Sequence, residues 1–269
     1  MQRLGRDVWA INTVEFSNHT GYKAWRGEVL RSSLVDDLVQ GLDERGVLPR
    51  CEAVLSGYLG AAETGRAILN AVKKVKAASP SAIYCCDPVM GDVGRGFYVH
   101  EGILPFIKNE GLPFADIITP NKFELDALTG IDSSSAEGAR TAIKFLHDTG
   151  ITTVLVTSYT GSVAQKDTVV MLASSKTEGK IWQVTTPYLP VESVLNGTSV
   201  AGTGDLTTAV FLSHLLAKAG VKRSLELTAS AVFGIIEHTF NKKSGELLTV
   251  AAQDELINPR HKFEAVVFK

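Results

Sequence analysis

Short runs of β-branched and apolar residues alternate with segments of helical period, and that alternation restricts this chain to one fold class. Residues 8–16, 53–58, 82–86, 116–119 and 152–157 are brief apolar runs bounded by Gly, Pro, Asn or Asp, which predicts strands. Between them Ile68, Ala71, Val72 and Val75 recur at helical spacing, with Lys73, Lys74 and Lys76 on the remaining faces. Ala139, Ala142, Ile143 and Leu146 repeat the pattern, Ser134-Ser135-Ala136-Glu137 predicts a capping box before them, and Gly150 a stop. Strand–helix alternation implies right-handed βαβ units and a mainly parallel sheet with helices on both faces.

The rhythm changes once. Residues 167–173 and 180–186 are two strand-like runs joined without a helix, which predicts an antiparallel addition at a sheet edge. Two long helical stretches, 205–218 and 224–241, follow, and then a polar tail. No repeat, low-complexity tract or linker divides the chain, so residues 1–269 are expected to form one α/β domain.

Charge excludes some functions. Lys and Arg total 27 against 29 Asp and Glu, a net charge of -2 that argues against a nucleic-acid or membrane-surface partner. No run of about 18 apolar residues is long enough to span a bilayer, and residues 1–7 lead into no signal-peptide core. Three cysteines, Cys51, Cys85 and Cys86, make no disulfide framework and fit a reducing, cytoplasmic setting. Cys85 and Cys86 are adjacent in an expected buried strand, so their thiols should pack on opposite faces.

Ala201-Gly202-Thr203-Gly204-Asp205 leads straight into an apolar helix. Small residues let a ligand approach the backbone, and the first amides of a helix lack intrahelical acceptors, which suits phosphate. Alone, the pattern reads first as a Gly-containing helix start with an Asp cap. Its company changes the weighting. Asp87 and Asp92 follow one expected strand, Thr119, Asn121 and Glu124 the next, and Thr157-Ser158 a third. Hard oxygen ligands at three strand ends, beside an anion site, suit a magnesium nucleotide at the carboxyl edge of the sheet.

These segments resemble those of a known family. Phe16-Ser17-Asn18-His19-Thr20-Gly21-Tyr22, Ser56-Gly57-Tyr58, Asp87-Pro88-Val89-Met90-Gly91-Asp92, Thr119-Pro120-Asn121-Lys122-Phe123-Glu124 and Gly202-Thr203-Gly204-Asp205 are similar to the signatures of pyridoxal kinases, in the expected order. The Ser-Asn-His-Thr-Gly-Tyr string is specific to those kinases, whereas Gly-Thr-Gly-Asp is shared across the ribokinase-like superfamily. The resemblance implies a ribokinase-like three-layer sandwich with a mainly parallel central sheet, helices on both faces and an antiparallel edge. It implies ATP-dependent phosphorylation of the 5′-hydroxymethyl group of pyridoxal, pyridoxine and pyridoxamine, by a homodimer.

By the same resemblance, Asp205 is the catalytic base and touches substrate, and Gly202, Thr203 and Gly204 line the anion hole. Asp92 and Glu124 hold Mg2+, directly or through water. Asp87, Thr119 and Thr157 surround a monovalent cation, K+ or Na+. Asn121, Thr157, Ser158, Gly202 and Thr203 contact ATP, and Phe16, His19, Thr20 and Tyr58 grip the pyridine ring. Gly91, Gly94 and Gly96 are hinges of a loop over the phosphates. The macrodipole of the following helix is expected to favour the anion of Asp205 and make it a weak base. The resemblance also implies a further strand and helix ahead of the segment matching Met1–Val8, carrying a serine that contacts the vitamin. A chain that starts one such unit late is expected to bind substrate through Thr20 and Asp205, with weakened solubility or activity. The alternatives are a hydroxymethylpyrimidine kinase, acting on another heteroaromatic alcohol, and a catalytically weak vitamin-binding protein; intact Gly202 and Asp205 argue against the latter.

Overall fold

The computed structural model describes residues 1–22, 24–161, 163–164, 167–190 and 200–269. A short hairpin, β1 (Val14–Phe16) with β2 (Gly27–Val29), and helix α1 (Ser32–Glu44) precede the first strand–helix unit. That unit is β3 (Ala53–Ser56), α2 (Ala62–Ala78) and β4 (Ile83–Cys86). A second small hairpin, β5 (Gly91–Asp92) with β6 (Gly96–Phe97), then leads to α3 (Ile103–Phe106) and β7 (Ile117–Ile118). Helices α4 (Lys122–Thr129) and α5 (Ala136–Asp148) bring the chain to β8 (Thr153–Tyr159). Strands β9 (Thr168–Ser175) and β10 (Lys180–Pro187) precede α6 (Thr203–Leu216), α7 (Val221–Asn241) and β11 (Val266–Val267).

Seven strands form the main sheet in the order β11-β10-β9-β8-β7-β4-β3. Strands β3, β4, β7 and β8 run parallel, as crossover helices require, and β9, β10 and β11 add on in antiparallel fashion. Period-2 alternation divides the side chains between two cores. Cys86, Ile118, Val154 and Val156 face the helices α2 to α5, while Leu155, Met171 and Val184 face Phe211 of α6 and Leu225 and Ala229 of α7. Cys85 packs with Ile117 and Leu212 on the face opposite Cys86, as adjacent strand residues must. Burial pushes the Cys86 thiol up to about 12 and raises that of Cys85 as well, so both act as packing groups.

Several expectations need correction. Residues 8–16 do not form one strand: only Val14–Phe16 pairs, outside the main sheet, and Trp9 is 42% exposed. A β-rich run becomes a strand only where a partner edge is available to it. The expected capping box at Ser134 and Glu137 is displaced by one residue. Ser135 is the N-cap, accepting from Gly138 N at 3.0 Å, so Glu137 falls in the first turn rather than at the reciprocal position. The reciprocal box is at α4, where Asn121 and Glu124 cap one another. The polar tail, for which the sequence predicts no element, holds a 3-10 turn at Gln253–Leu256, and Val266–Val267 extends the sheet through Trp182 and Gln183.

Candidate active site

The carboxyl ends of β4, β7 and β8 and the N-terminus of α6 meet at one cleft of about 1180 Å³. Every catalytic, binding and metal candidate named from the sequence lines it, and of the expected hinges Gly91, Gly94 and Gly96 none does. Phe16, His19, Thr20 and Tyr58 form one end, Asp87, Asp92, Thr119, Asn121 and Glu124 the floor, Thr157 and Ser158 one flank, and Gly202 to Asp205 the wall. Parallel strands deliver this convergence because all their carboxyl ends point the same way.

Gly202 is the N-cap of α6 with φ 88°, a left-handed conformation that favours glycine, and among the described residues no side chain caps the first turn. Among the described residues nothing occupies the amides of Thr203, Gly204 and Asp205, which face a ligand in the cleft. A Cβ built on Gly202 or Gly204 would meet no heavy atom within 4 Å, so the space above this turn is open. Asp205 opens onto the cleft from that turn. Its carboxyl is raised from the ordinary range by desolvation from the surrounding walls, opposed by His19. Desolvation thus acts against the helix dipole on which the expectation of a weak base rests.

The floor is built of carboxyl groups held by hydroxyls and amides. Thr208, one turn beyond Asp205 on α6, donates from Oγ1 to Asp87 Oδ2 at 3.1 Å and lies 2.9 Å from Thr119 Oγ1. Glu124 Oε1 accepts from Met90 N at 2.8 Å and Oε2 from Asn121 N at 2.9 Å. Asn121 Nδ2 in turn donates to Gly91 O at 2.7 Å and Asp92 Oδ1 at 3.1 Å. Burial, reinforced by the charge of Asp205, pushes Asp87 up to about 7. Burial likewise pushes Glu124 up to about 8, against the amides of Asn121 and Met90. Burial also raises Asp92, with Arg95 opposing.

Carboxylates this reluctant to ionise make a place for a cation. Among the described residues no three His, Cys, Asp or Glu side chains converge as a preformed metal cage. Magnesium needs none, since one or two carboxylates complete its shell with substrate phosphates and water. The donor set therefore fits magnesium, and Asp87 with Thr119 and Thr157 offers oxygens suited to a monovalent ion.

The raised carboxyls also set a stability profile. Their folded-state pKa values lie above the unfolded ones, so between about pH 4 and 8 the unfolded chain has lost protons that the folded one keeps. Stability falls as pH rises through that window, by up to ~1.4 kcal/mol per unit of difference. In buffer free of magnesium and potassium, the melting temperature should drop between pH 5.5 and 8.5. It should drop less in Asp87→Asn, and an equal drop in both proteins would show that Asp87 is not a source of the effect.

Sequence reasoning missed Thr208, although a hydroxyl three residues beyond Asp205 on a helix is readable as a neighbour on its face. It also missed Tyr98, which follows β6 into the cleft, and the apolar far wall built by Val232, Phe233 and Ile236 of α7 with Leu247. Nothing in an amphipathic helix pattern tells a core-facing residue from one that faces a ligand. The hinge glycines differ in kind. Gly94 and Gly96 have φ of 86° and 73°, whereas Gly91 is required by closeness: a Cβ there would lie 2.5 Å from Gly96 O.

A parallel α/β sheet with an antiparallel edge, and a Gly-Thr-Gly-Asp helix start over a floor of carboxyl groups, define a small-molecule kinase of the ribokinase-like class. The phosphomethylpyrimidine kinase family matches residues 43–249. Pyridoxal kinase PdxY of Rubrobacter xylanophilus is 46% identical over 98% of this chain and 88% of that protein. PdxY of Granulibacter bethesdensis is 43% identical over 99% of this chain and 92% of its own length. A solved pyridoxal kinase from Leishmania donovani, in complex with ADP and pyridoxamine, superposes with a TM-score of 0.88 at 26% identity, covering 100% of this chain and 92% of that one. The chain belongs to the pyridoxal kinase family.

Proposed function

We propose that the chain transfers the γ-phosphoryl group of ATP to the 5′-hydroxymethyl oxygen of pyridoxal, and of pyridoxine and pyridoxamine, giving the 5′-phosphates. The observation that carries the reading is the juxtaposition of Asp205 and the open first turn of α6 with His19 and Thr20 in one cleft. The names of the relatives, and the ADP and pyridoxamine held by the Leishmania donovani enzyme, support the same assignment.

Asp205 accepts the hydroxyl proton, and its raised carboxyl is a better base than a free aspartate. The amides of Thr203 and Gly204, on the Gly202 cap, stabilise charge on the transferring oxygens. Phe16, His19, Thr20 and Tyr58 hold the ring so that the alcohol meets Asp205, and Asn121, Thr157 and Ser158 hold the nucleotide. Asp92 and Glu124 would hold magnesium, which neutralises the phosphate oxygens. Asp87, Thr119 and Thr157 would hold a monovalent cation. The same reading takes residues 1–269 as one domain, working as a cytoplasmic homodimer. It is supported by the family and by three cysteines that are all free thiols.

The test compares product formation from pyridoxal and from hydroxymethylpyrimidine under identical MgATP. Pyridoxal should be favoured in kcat/KM. Preference for the pyrimidine would transfer the assignment to the phosphomethylpyrimidine branch, and pyridoxal binding without any product would make the chain a vitamin binder.

A further inference from the structure

Tyr22 ends the string that is specific to this family, yet it does not line the cleft; His19, Thr20 and Gly21 beside it do. Its phenol reaches away from them and donates to Glu246 Oε1 at 2.5 Å, with Gly245 O at 3.4 Å. That bond joins residues 224 apart in sequence. Charge-assisted O–H···O⁻ bonds of this length are among the stronger hydrogen bonds in proteins.

Both ends of the bond are braced. Ser244 Oγ donates to Glu246 O at 2.8 Å, and Glu246 N donates to Ser244 Oγ at 3.2 Å. The segment is tied to the last turn of α7, where Ser244 N donates to Thr239 O at 3.2 Å and Leu248 N to Thr239 Oγ1 at 3.1 Å. On the other side Tyr22 N donates to His19 O at 3.1 Å, and Gly21 N to His19 Nδ1 at 3.1 Å. The rings of His19 and Tyr22 meet edge-on, 6.1 Å between centroids. Fixing Tyr22 therefore fixes His19.

We propose that Tyr22 is a positioning residue that, through Glu246, clasps residues 17–22 to residues 244–248 and so holds His19 and Thr20 at the substrate end of the cleft. Ser17 N donates to Arg26 O at 2.8 Å and Asn18 Nδ2 to His19 O at 3.2 Å and Ala24 O at 3.0 Å, which tie the loop to itself. An exposed loop held in that way belongs to the less stable part of a fold. The clasp supplies an anchor that is already fixed to α7. The phenol is held above its ordinary range, chiefly by the bond to Glu246, so it remains a donor at neutral pH. The ligand so positioned rests on the pyridoxal kinase reading; the clasp itself does not.

Two readouts test it. In Tyr22→Phe, the KM for pyridoxal should rise roughly three- to tenfold, the loss expected for one hydrogen bond to a charged group in partly exposed surroundings, with kcat and the KM for MgATP within about twofold. Glu246→Ala should reproduce the effect, and Glu246→Gln, which keeps an acceptor, should recover part of it. The double variant Tyr22→Phe/Glu246→Ala should be no worse than either single one. Without any ligand, amide exchange over residues 17–22 should quicken in Tyr22→Phe. An unchanged exchange rate, additive losses in the double variant, or quicker exchange with an unchanged pyridoxal KM would each overturn the proposal. If the wild-type chain makes no phosphate from pyridoxal, the functional reading falls and ligand-free exchange alone decides the clasp.

Discussion

Replacing Asp205 by Asn should lower kcat by ~10²–10⁴-fold, the range in which a general base contributes, and leave nucleotide affinity close to that of the wild type. The substitution keeps side-chain volume in the first turn of α6 and removes only the proton acceptor. The fold gives a further reason to expect a clean result. Asp205 is raised by desolvation, and its charge is one cause of the raised carboxyl of Asp87. Neutralising it relieves that repulsion, so the variant should melt no lower than the wild type. The loss of turnover then cannot be ascribed to unfolding. Steady-state turnover of pyridoxal, with ADP affinity by calorimetry, decides the matter: near-wild-type kcat would remove Asp205 from the chemistry.

Much of this was legible in the residues because parallel α/β architecture writes itself locally. A brief apolar run closed by Asp-Pro or Thr-Pro-Asn is both a buried strand and the place where a ligand meets the sheet. Asp87, Asn121 and Glu124 were therefore found from the same signal that located β4 and β7. Gly202 was legible because small residues ahead of an apolar helix let a ligand approach amides without intrahelical acceptors, whereas its left-handed φ of 88° is written only in the fold. What was not legible depends on partners distant in sequence. The run at 8–16 has the composition of a strand but pairs only from Val14, and the tail pairs at Val266–Val267 because β10 leaves it an edge. The helix dipole on Asp205 is written in the sequence; the desolvation that opposes it comes from walls supplied by other segments.

Asp92 and Glu124, which share one expected role, should part company when mutated. Glu124 is 4% exposed and accepts amides on both carboxylate oxygens, from Met90 at 2.8 Å and Asn121 at 2.9 Å. In Glu124→Gln one of those oxygens becomes an NH2 group that faces a buried N–H, donor against donor. Leaving a buried donor unsatisfied costs about 1–3 kcal/mol, and if the remaining oxygen turns to Asn121 N to keep the capping box of α4, the NH2 group is left facing Met90 N. At about 2–4 °C per kcal/mol for a chain of this size, the melting temperature should fall clearly, and MgATP use should fall with it. Among the described residues the Asp92 carboxylate accepts one hydrogen bond, from Asn121 Nδ2 at 3.1 Å, and that amide keeps Gly91 O at 2.7 Å when the carboxylate is gone. Asp92→Ala should therefore melt within a few degrees of the wild type. Its MgATP affinity should nonetheless fall by ~10–100-fold, as for a residue that steadies a metal, while pyridoxal binding is unchanged. Melting curves, with separate calorimetric titrations of MgATP and pyridoxal, distinguish the two variants. Equal loss of both ligands in Asp92→Ala would show that Asp92 shapes the cleft as a whole, and magnesium would then have to be held by Glu124 without it.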